Sequence, residues 1–196
     1  MRVVLLSAKQ GGGKSSIQKA LAEKWSERTG QAVACLNFAD VLYEMHDAVL
    51  EVLHRYWPNR NLAKDGPLLQ MLGTDWARKT IDQDIWVKCM QKKAELWFRE
   101  NPGGLLIVGD CRFENELHAF PEALRVRLNC PEKVRQARCS MWRENTEHPS
   151  EIGLDGAAER GEFDMYLNTE TTPVDGCVSL LVVGLEKNDW VNRRKT

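Results

Sequence analysis

The chain has 196 residues, of which 43% are hydrophobic and 28% are charged, and no segment is low in complexity. This composition is typical of one globular domain with a buried core, and it excludes a disordered or a fibrous protein. The 27 basic and 28 acidic side chains give a formal net charge of −1, which argues against a surface devoted to nucleic acid or to a membrane.

The first half of the chain alternates apolar runs with helical patterns. Arg2–Ser7 is predicted to be a short strand that leads into a glycine loop, and the helix Ser15–Arg28 follows with apolar residues at helical spacing. A second strand is predicted over Ala32–Asn37 and an amphipathic helix over Asp40–Tyr56. After a polar break, the pattern predicts a long helix over Asp84–Glu100 that ends at a strong turn signal.

Two further strands and a helix are predicted in the next part of the chain. Leu105–Val108 is fully apolar, which is typical of a central parallel strand that is buried on both faces. Leu124–Leu128 alternates apolar residues with arginines, which predicts a strand nearer an edge of the sheet. Pro131–Arg143 is predicted to be helical, because a proline is well placed at a helix start.

The last quarter of the chain completes the predicted sheet. Glu144–Gly161 is polar and poor in large apolar residues, which predicts a mobile loop, and Phe163–Leu167 is a fifth short strand. Val174–Leu185 keeps helical spacing and favours a last helix, with a strand as the alternative. Strands that alternate with helices predict an α/β fold: a three-layer, doubly wound, mostly parallel five-stranded sheet in a single domain over residues 1–196.

Hydropathy and cysteine usage indicate the compartment. No apolar run approaches the roughly 20 residues of a membrane span, and the run Val3–Leu6 is too short for the core of a signal peptide. The six cysteines are scattered without a C-x-x-C pair, and the four histidines show no metal-ligand spacing with them. We therefore expect free thiols in a reducing cytoplasm, no structural metal and no membrane contact.

The most specific motif lies between the first strand and the first helix. Ala8–Ser15 reads A-K-Q-G-G-G-K-S and fits the phosphate-loop spacing [AG]-x-x-x-x-G-K-[ST]. Its glycines let backbone N–H groups turn towards an anion, and the helix start points its positive dipole end at the same place. We expect Lys14 to neutralise the phosphates of ATP and Ser15 to ligate Mg²⁺. The other predicted ATP-binding residues are Lys9, Gly11, Gly12, Gly13 and Ser16. The alternative is a glycine-rich turn in which Lys-Ser occurs by chance.

An acidic residue is predicted to lie beside this loop. Asp110 follows the apolar run Leu105–Gly109 and therefore stands at the carboxyl end of a central strand, where doubly wound sheets place their ligand chemistry. We expect it to hold Mg²⁺ through water. The alternative is a carboxylate that caps the next helix.

Further segments in the same order carry a family resemblance. They are Asn37–Asp40, Leu69–Trp76 with Asp84–Trp86, Val108–Glu116, His148–Glu151 and Phe163–Asn168. Together with the glycine loop, they cover nearly the whole chain and resemble the phage-type deoxynucleoside monophosphate kinases, a branch of the phosphate-loop kinases. The Asp-x-Arg-Phe-Glu-Asn-Glu segment from Asp110 is the most specific of them. Ala8 and Ser16 depart from the commoner pattern of the family.

The resemblance implies transfer of the ATP γ-phosphate to a deoxynucleoside 5′-monophosphate (dNMP). It also implies an acceptor-binding helical insertion at about residues 40–100 and a lid at about 132–161. Arg112 offers a guanidinium fork for the acceptor phosphate, and Arg78 is a second candidate. Asp40 follows the second strand and either binds the sugar hydroxyl or acts as a base towards a neutral hydroxyl.

Aromatic and acidic side chains are candidates for the rest of the acceptor site. Trp76 or Phe113 is expected to stack on the base, with ordinary core packing as the alternative for each. Glu116, which ends the most specific segment, is included among the predicted acceptor-binding residues.

The lid is predicted from a run of basic residues. Arg135, Arg138 and Arg143 are expected to close on the transferring phosphoryl group and to exclude water, with a solvated basic helix face as the alternative. Arg135 and Arg138 share a helix face, which suits joint contact. His148 and Glu151 either touch the substrate or fasten the loop.

Two other functions remain open at this point. One is a related kinase that phosphorylates a hydroxyl of a modified base, either in a nucleotide or within DNA, which the near-zero net charge disfavours. The other is a nucleotide-binding switch that transfers nothing, although the chain has no N-K-x-D motif for reading guanine. The seven tryptophans leave a homodimer open without locating an interface. The resemblance places the protein in the host cytoplasm if a phage encodes it.

Overall fold

The structure is a computed structural model that describes residues 1–58, 64–140, 142 and 149–187. Two predicted lid residues, Arg143 and His148, lie outside the described residues. Among the residues described, no helix is long and apolar enough to cross a bilayer.

Five parallel strands form one sheet in the order β2-β3-β1-β4-β5. The strands are β1 (Arg2–Ser7), β2 (Val33–Leu36), β3 (Leu105–Val108), β4 (Leu124–Asn129) and β5 (Met165–Asn168). Val4 in β1 lies opposite Ile107 on one side and Leu124 on the other, so β1 is the centre of the sheet. The predicted five-stranded α/β fold is confirmed, and all strand pairs are parallel.

Helices cover both faces of the sheet. They are α1 (Lys14–Thr29), α2 (Asp40–Tyr56), α3 (Gly66–Gln70), the π-helix Met71–Ile81, α4 (Ile85–Glu100), α5 (Glu114–Leu117), α6 (Glu132–Arg138), α7 (Pro149–Ile152), α8 (Asp155–Glu159) and α9 (Val174–Lys187). The last predicted segment is therefore a helix rather than a strand. In the π-helix, the backbone bonds reach five residues back, as in the bond from the Asp82 N–H to the Ala77 carbonyl.

The core lies in two layers, one on each face of the sheet. Val4 and Leu6 of β1 point towards α1 and α9, where Leu21 and Leu181 are fully buried. The alternate residues of β1 point to the opposite face, which α4 and α8 cover. Because both faces of the sheet are dry, β1 and β3 are apolar at every central position.

Strand β4 lies between the central strand β1 and the edge strand β5, which agrees with the prediction of a strand nearer an edge of the sheet. Arg127 is nevertheless almost fully buried, because Ser7 Oγ and Asp155 Oδ1 accept hydrogen bonds from its guanidinium at 2.9 and 2.6 Å. The arginine at position 127 therefore marks a buried ion pair in the strand, not a solvent-exposed position.

The predicted lid segment also differs from expectation. Helix α6 ends at Arg138 and Cys139 is extended, so the helix predicted to Arg143 is shorter. The mobile loop predicted over 144–161 is wrong for two parts of that range, where α7 and α8 are helical. Leu154 and Ala157, which connect and form these helices, are buried against the sheet. These two apolar side chains help to anchor a segment that is otherwise poor in large apolar residues.

Core burial predicts the stability of two matched variants. Leu21→Ala in α1 should lower the free energy of unfolding by about 3 kcal/mol, because it leaves a cavity beneath the sheet. Leu180→Ala in α9 removes the same atoms from a side chain that is 50% exposed and should cost less than about 1 kcal/mol. Urea unfolding followed by circular dichroism measures both. Equal losses would contradict the assignment of Leu21 to the core.

Candidate functional site

The glycine loop connects the end of β1 to the start of α1, as the motif predicts. Gly11 and Gly13 have φ angles of +74° and +88°, which only glycine adopts at no cost. A Cβ atom on Gly11 would lie 2.7 Å from the Arg135 carbonyl oxygen, so the loop is also too closely packed for a larger residue there. Gly13 is the N-cap of α1, and the first amide groups of α1 are therefore directed at the loop.

Lys14 lies in an environment that disfavours its charged form. Its Nζ donates a hydrogen bond to the Ala8 carbonyl across the loop. Burial, followed by the charge of Arg112, lowers the pKa of Lys14 to about 8. A bound phosphate would favour the charged form and raise this pKa again.

A cavity of about 760 Å³ opens beside the loop. The loop and the start of α1 form one wall, including the exposed Ser15 and Ser16. The opposite walls are Arg112, Arg138, Cys139, Thr169, Thr172, Pro173 and Val174. Of the residues predicted to bind ATP or phosphate, the cavity brings together the loop, Arg112 and Arg138. Its volume suits a nucleotide.

Arg112 and the glycine loop share one carboxylate. The Gln10 backbone N–H donates to Glu151 Oε2 at 2.7 Å, and Arg112 Nη1 donates to Glu151 Oε1 at 2.9 Å. Only 13% of the Glu151 side chain is exposed, against 33% of Arg112. A loop amide and a guanidinium are thus separated by the width of a single small anion.

A second carboxylate fastens the neighbouring part of the loop. Asp155, at the start of α8, accepts from Lys9 Nζ and from Arg127, both at 2.6 Å. Lys9 therefore belongs to an ion pair beside the loop. This network connects the lid segment to β1 and β4 as well as to the loop.

The turn that carries Arg112 is held from below by Glu116. Glu116 Oε2 accepts the backbone N–H groups of Arg112 and Phe113 at 2.8 and 3.2 Å, and Oε1 accepts from Arg78 at 3.0 Å. The carboxyl is almost fully buried, and burial raises its pKa to about 7 although the Arg112 N–H and Arg78 act in the opposite direction. Both oxygens of this predicted acceptor-binding residue are engaged within the protein.

The other predicted acceptor residues surround this turn. The Arg78 guanidinium stacks on the Phe113 ring at 4.6 Å and pairs with Glu116. One face of Phe113 is therefore occupied by Arg78. Trp76 lies on the π-helix with 41% of its surface exposed. Stacking of Trp76 or Phe113 on a base stays a prediction.

The two predicted aspartates both hold the turn after β2. Asp110 accepts the backbone N–H groups of Phe38 and Ala39 at 2.7 and 3.1 Å, while burial raises its pKa. Asp40 accepts the Asn37 N–H at 2.9 Å and lies 3.7 Å from Lys93 Nζ. The role of Asp110 at Mg²⁺ and that of Asp40 at the acceptor stay predictions.

The lid arginines are divided between two places. Arg135 is buried away from this cavity, donates to the carbonyls of Gln10 and Cys130 at 2.9 and 3.1 Å, and lies over the Trp142 ring at 5.4 Å. Arg138 borders the cavity and donates to the Thr169 carbonyl at 3.0 Å. Arg135 therefore positions the loop backbone, whereas Arg138 is placed to face a ligand.

Sequence reasoning missed one wall of the cavity. Thr169, Thr172, Pro173 and Val174 follow β5, and the rule that doubly wound sheets bind ligands at carboxyl strand ends could have found them. Asp155 gave no comparable signal, because its partners Lys9 and Arg127 are far from it in the chain.

The residues present fit ATP and Mg²⁺ in their chemistry. The loop offers inward amide groups and Lys14 to phosphate oxygens. Ser15 at the cavity wall and Asp110, whose charge acts on Lys14, offer the oxygen ligands that Mg²⁺ prefers. Within the described residues, no group of three or more histidines, cysteines or carboxylates could hold a metal ion. An Mg²⁺ ion there would need phosphate oxygens as its other ligands.

Comparison with known proteins supports the fold. Neither a protein-family model nor a curated protein sequence matches the chain. Among solved structures, TT1252 from Thermus thermophilus is similar over 94% of this chain and 96% of its own, with 17% identity and a TM-score of 0.52. APE1195 is similar over 94% of both chains, with 15% identity and a TM-score of 0.49. The likeness to TT1252 agrees with the α/β fold and the parallel sheet of the structure.

The lowered pKa of Lys14 predicts how phosphate binding varies with pH. The affinity for ADP should fall by up to about tenfold between about pH 7 and pH 9, because binding must first protonate the fraction of Lys14 that is neutral. Titration calorimetry in buffers of different ionisation enthalpy should show proton uptake near pH 8. Lys14→Arg stays charged, so its weaker binding should be flat with pH. A flat profile for the unmodified protein would contradict this account.

Proposed function

We propose that the protein is a kinase that transfers the γ-phosphate of ATP to a deoxynucleoside 5′-monophosphate, giving the diphosphate and ADP. The observation that carries the proposal is the shared carboxylate between the loop and Arg112. Gln10 N–H and Arg112 lie on opposite sides of Glu151, at 2.7 and 2.9 Å. A transferable phosphoryl group between a donor loop and an acceptor arginine needs the same spacing of hydrogen-bond donors.

The donor nucleotide has a defined place in this proposal. Its phosphates would lie on the loop, with Lys14 on the β- and γ-phosphates. The nucleoside would extend along Thr169–Val174 and Arg138, which form the rest of the cavity. Mg²⁺, held by Ser15 and by Asp110 through water, would neutralise charge on the β- and γ-phosphates.

The acceptor needs little chemical activation. A monophosphate oxygen is already an anionic nucleophile, so catalysis consists of positioning and charge neutralisation. Arg112 can bind the acceptor phosphate with two parallel N–H bonds. Glu116 supports it by fixing the backbone N–H groups of Arg112 and Phe113. Arg112 would therefore hold the acceptor phosphate while Lys14 and Mg²⁺ hold the donor.

The direct test is a panel of natural and modified deoxynucleoside monophosphates with ATP and Mg²⁺. ADP formation should be strongly accelerated by at least one of them over background hydrolysis. If none accelerates it, the proposal fails. Labelled phosphate in DNA instead of a mononucleotide would favour the kinase of a modified base. ATP that stays bound without any transfer would favour a switch.

Removing the loop lysine should abolish transfer. Lys14→Ala removes the positive charge that would neutralise the β- and γ-phosphates. It should lower kcat/KM by at least about a hundredfold while the fold is kept. Lys19→Ala is the matched control, since Lys19 lies exposed on the same helix. Steady-state kinetics and thermal unfolding measure both variants. Normal turnover by Lys14→Ala would overturn the assignment of the loop.

Removing Arg112 should act mainly on the acceptor. Arg112→Ala should raise the acceptor KM by about 10- to 100-fold, which corresponds to one charge-assisted hydrogen-bond pair, and should raise the ATP KM less. Arg112→Lys keeps the charge but not the fork and should fall between the two. Both KM values come from initial rates with one substrate varied. An unchanged acceptor KM would remove Arg112 from the acceptor site.

A further inference from the structure

We propose that Glu151 occupies the place of a phosphate group and competes with the donor nucleotide for the glycine loop until the acceptor displaces it from Arg112. The inference rests on the proposed function for the identity of the two ligands. It assigns Glu151 a regulatory role at the same site: the carboxylate competes with the nucleotide for the loop.

The bonding of Glu151 is that of an anion in a phosphate site. An ionised carboxylate only accepts hydrogen bonds, like a phosphate group. Its two oxygens are divided between two donors of different kinds, the Gln10 amide and the Arg112 guanidinium. Amides of a glycine loop and guanidinium groups are the donors that proteins use for phosphate.

Charge and burial support the same reading. The Glu151 side chain is largely enclosed, at 13% exposure. Its charge is close enough to Lys14 to raise the pKa of that lysine against the effect of burial. A nucleotide phosphate that reaches Lys14 and the Gln10 amide therefore meets a carboxylate of the same sign.

The position of Glu151 is held by its own segment. Asp155 pairs with Lys9 and Arg127. Leu154, which lies between Glu151 and Asp155 in the chain, is buried in the core. The short helices α7 and α8 are thereby held against the first residues of the loop, Lys9 and Gln10. Glu151 is for this reason held in one position and is not a freely rotating surface side chain.

The acceptor can displace Glu151 from Arg112. A monophosphate carries nearly two negative charges and competes for Arg112 with the single charge of Glu151. Once Arg112 is taken, Glu151 keeps one amide bond and is displaced more easily by the triphosphate. Binding of the acceptor and of ATP would therefore be positively coupled, and the coupling is reciprocal. Such an order limits hydrolysis of ATP when no acceptor is present.

The experiment measures binding of the non-hydrolysable analogue AMP-PNP to the full chain by calorimetry, without acceptor. Glu151→Gln should bind it about tenfold more tightly than the unmodified protein, since one charge-assisted contact no longer competes. Glu151→Asp keeps the charge but is too short to span both donors, and it should bind about threefold more tightly. Glu159→Gln, an exposed control on α8, should bind as the unmodified protein does. Thermal unfolding checks that each variant is folded.

Each outcome decides the proposal. Unchanged or weaker AMP-PNP binding by both Glu151 variants overturns it, and so does tighter binding by Glu159→Gln of the same size, which indicates a general charge effect. Glu151→Asp separates the two explanations, because a general field leaves its affinity unchanged. Absence of AMP-PNP binding in every protein also overturns it.

A second measurement tests the release by the acceptor. A dNMP that serves as acceptor should tighten AMP-PNP binding to the unmodified protein and should lose this effect in Glu151→Gln. If the effect persists in Glu151→Gln, release by the acceptor is wrong. The two proposals can fail separately. Phosphoryl transfer together with unchanged AMP-PNP binding by the Glu151 variants refutes only the competition by Glu151. Tighter binding by those variants without transfer to any dNMP refutes only the kinase.

Discussion

Positive charges at the carboxyl edge of the sheet are the feature on which the structure of this site depends. These cations come from the loop after β1, from α1, from the turn after β3 and from β4: they are Lys9, Lys14, Arg112 and Arg127. Like charges this close repel one another. They are kept together by carboxylates. Glu151 and Asp155 accept from Arg112, Lys9 and Arg127, and Lys14 is left with a lowered pKa.

This arrangement explains how a nearly neutral protein can hold a strongly basic pocket. The formal net charge of −1 hides an uneven distribution. The carboxylates of α7 and α8 balance part of this positive charge, whereas a bound nucleotide would supply a larger negative charge. In the proposed account, the carboxylates of α7 and α8 have two roles: they stabilise the cations around the loop, and Glu151 competes with the nucleotide. Removing Asp155 would take a carboxylate partner from Lys9 and from Arg127, at a cost in stability.

The fold and the glycine loop could be predicted from the sequence because both depend on local patterns. Fully apolar runs such as Leu105–Val108 indicate parallel strands, and the glycine loop is recognisable from eight consecutive residues. The partners of the cations could not be predicted in the same way. Gln10 and Glu151 are 141 positions apart, and Lys9 and Asp155 are 146 apart. Only the topology brings them together, and for the same reason the burial of Arg127 against Ser7 and Asp155 could not be predicted.

The central claim is that donor phosphates and acceptor phosphate meet between the glycine loop and Arg112. The most direct measurement is a crystal structure with a bisubstrate ligand, an adenosine joined through a chain of phosphates to the deoxynucleoside of the best acceptor. The account predicts the phosphate chain running from the loop to Arg112, with Glu151 moved away from both donors. A ligand bound elsewhere, or Arg112 still paired with Glu151 beside it, would contradict the account.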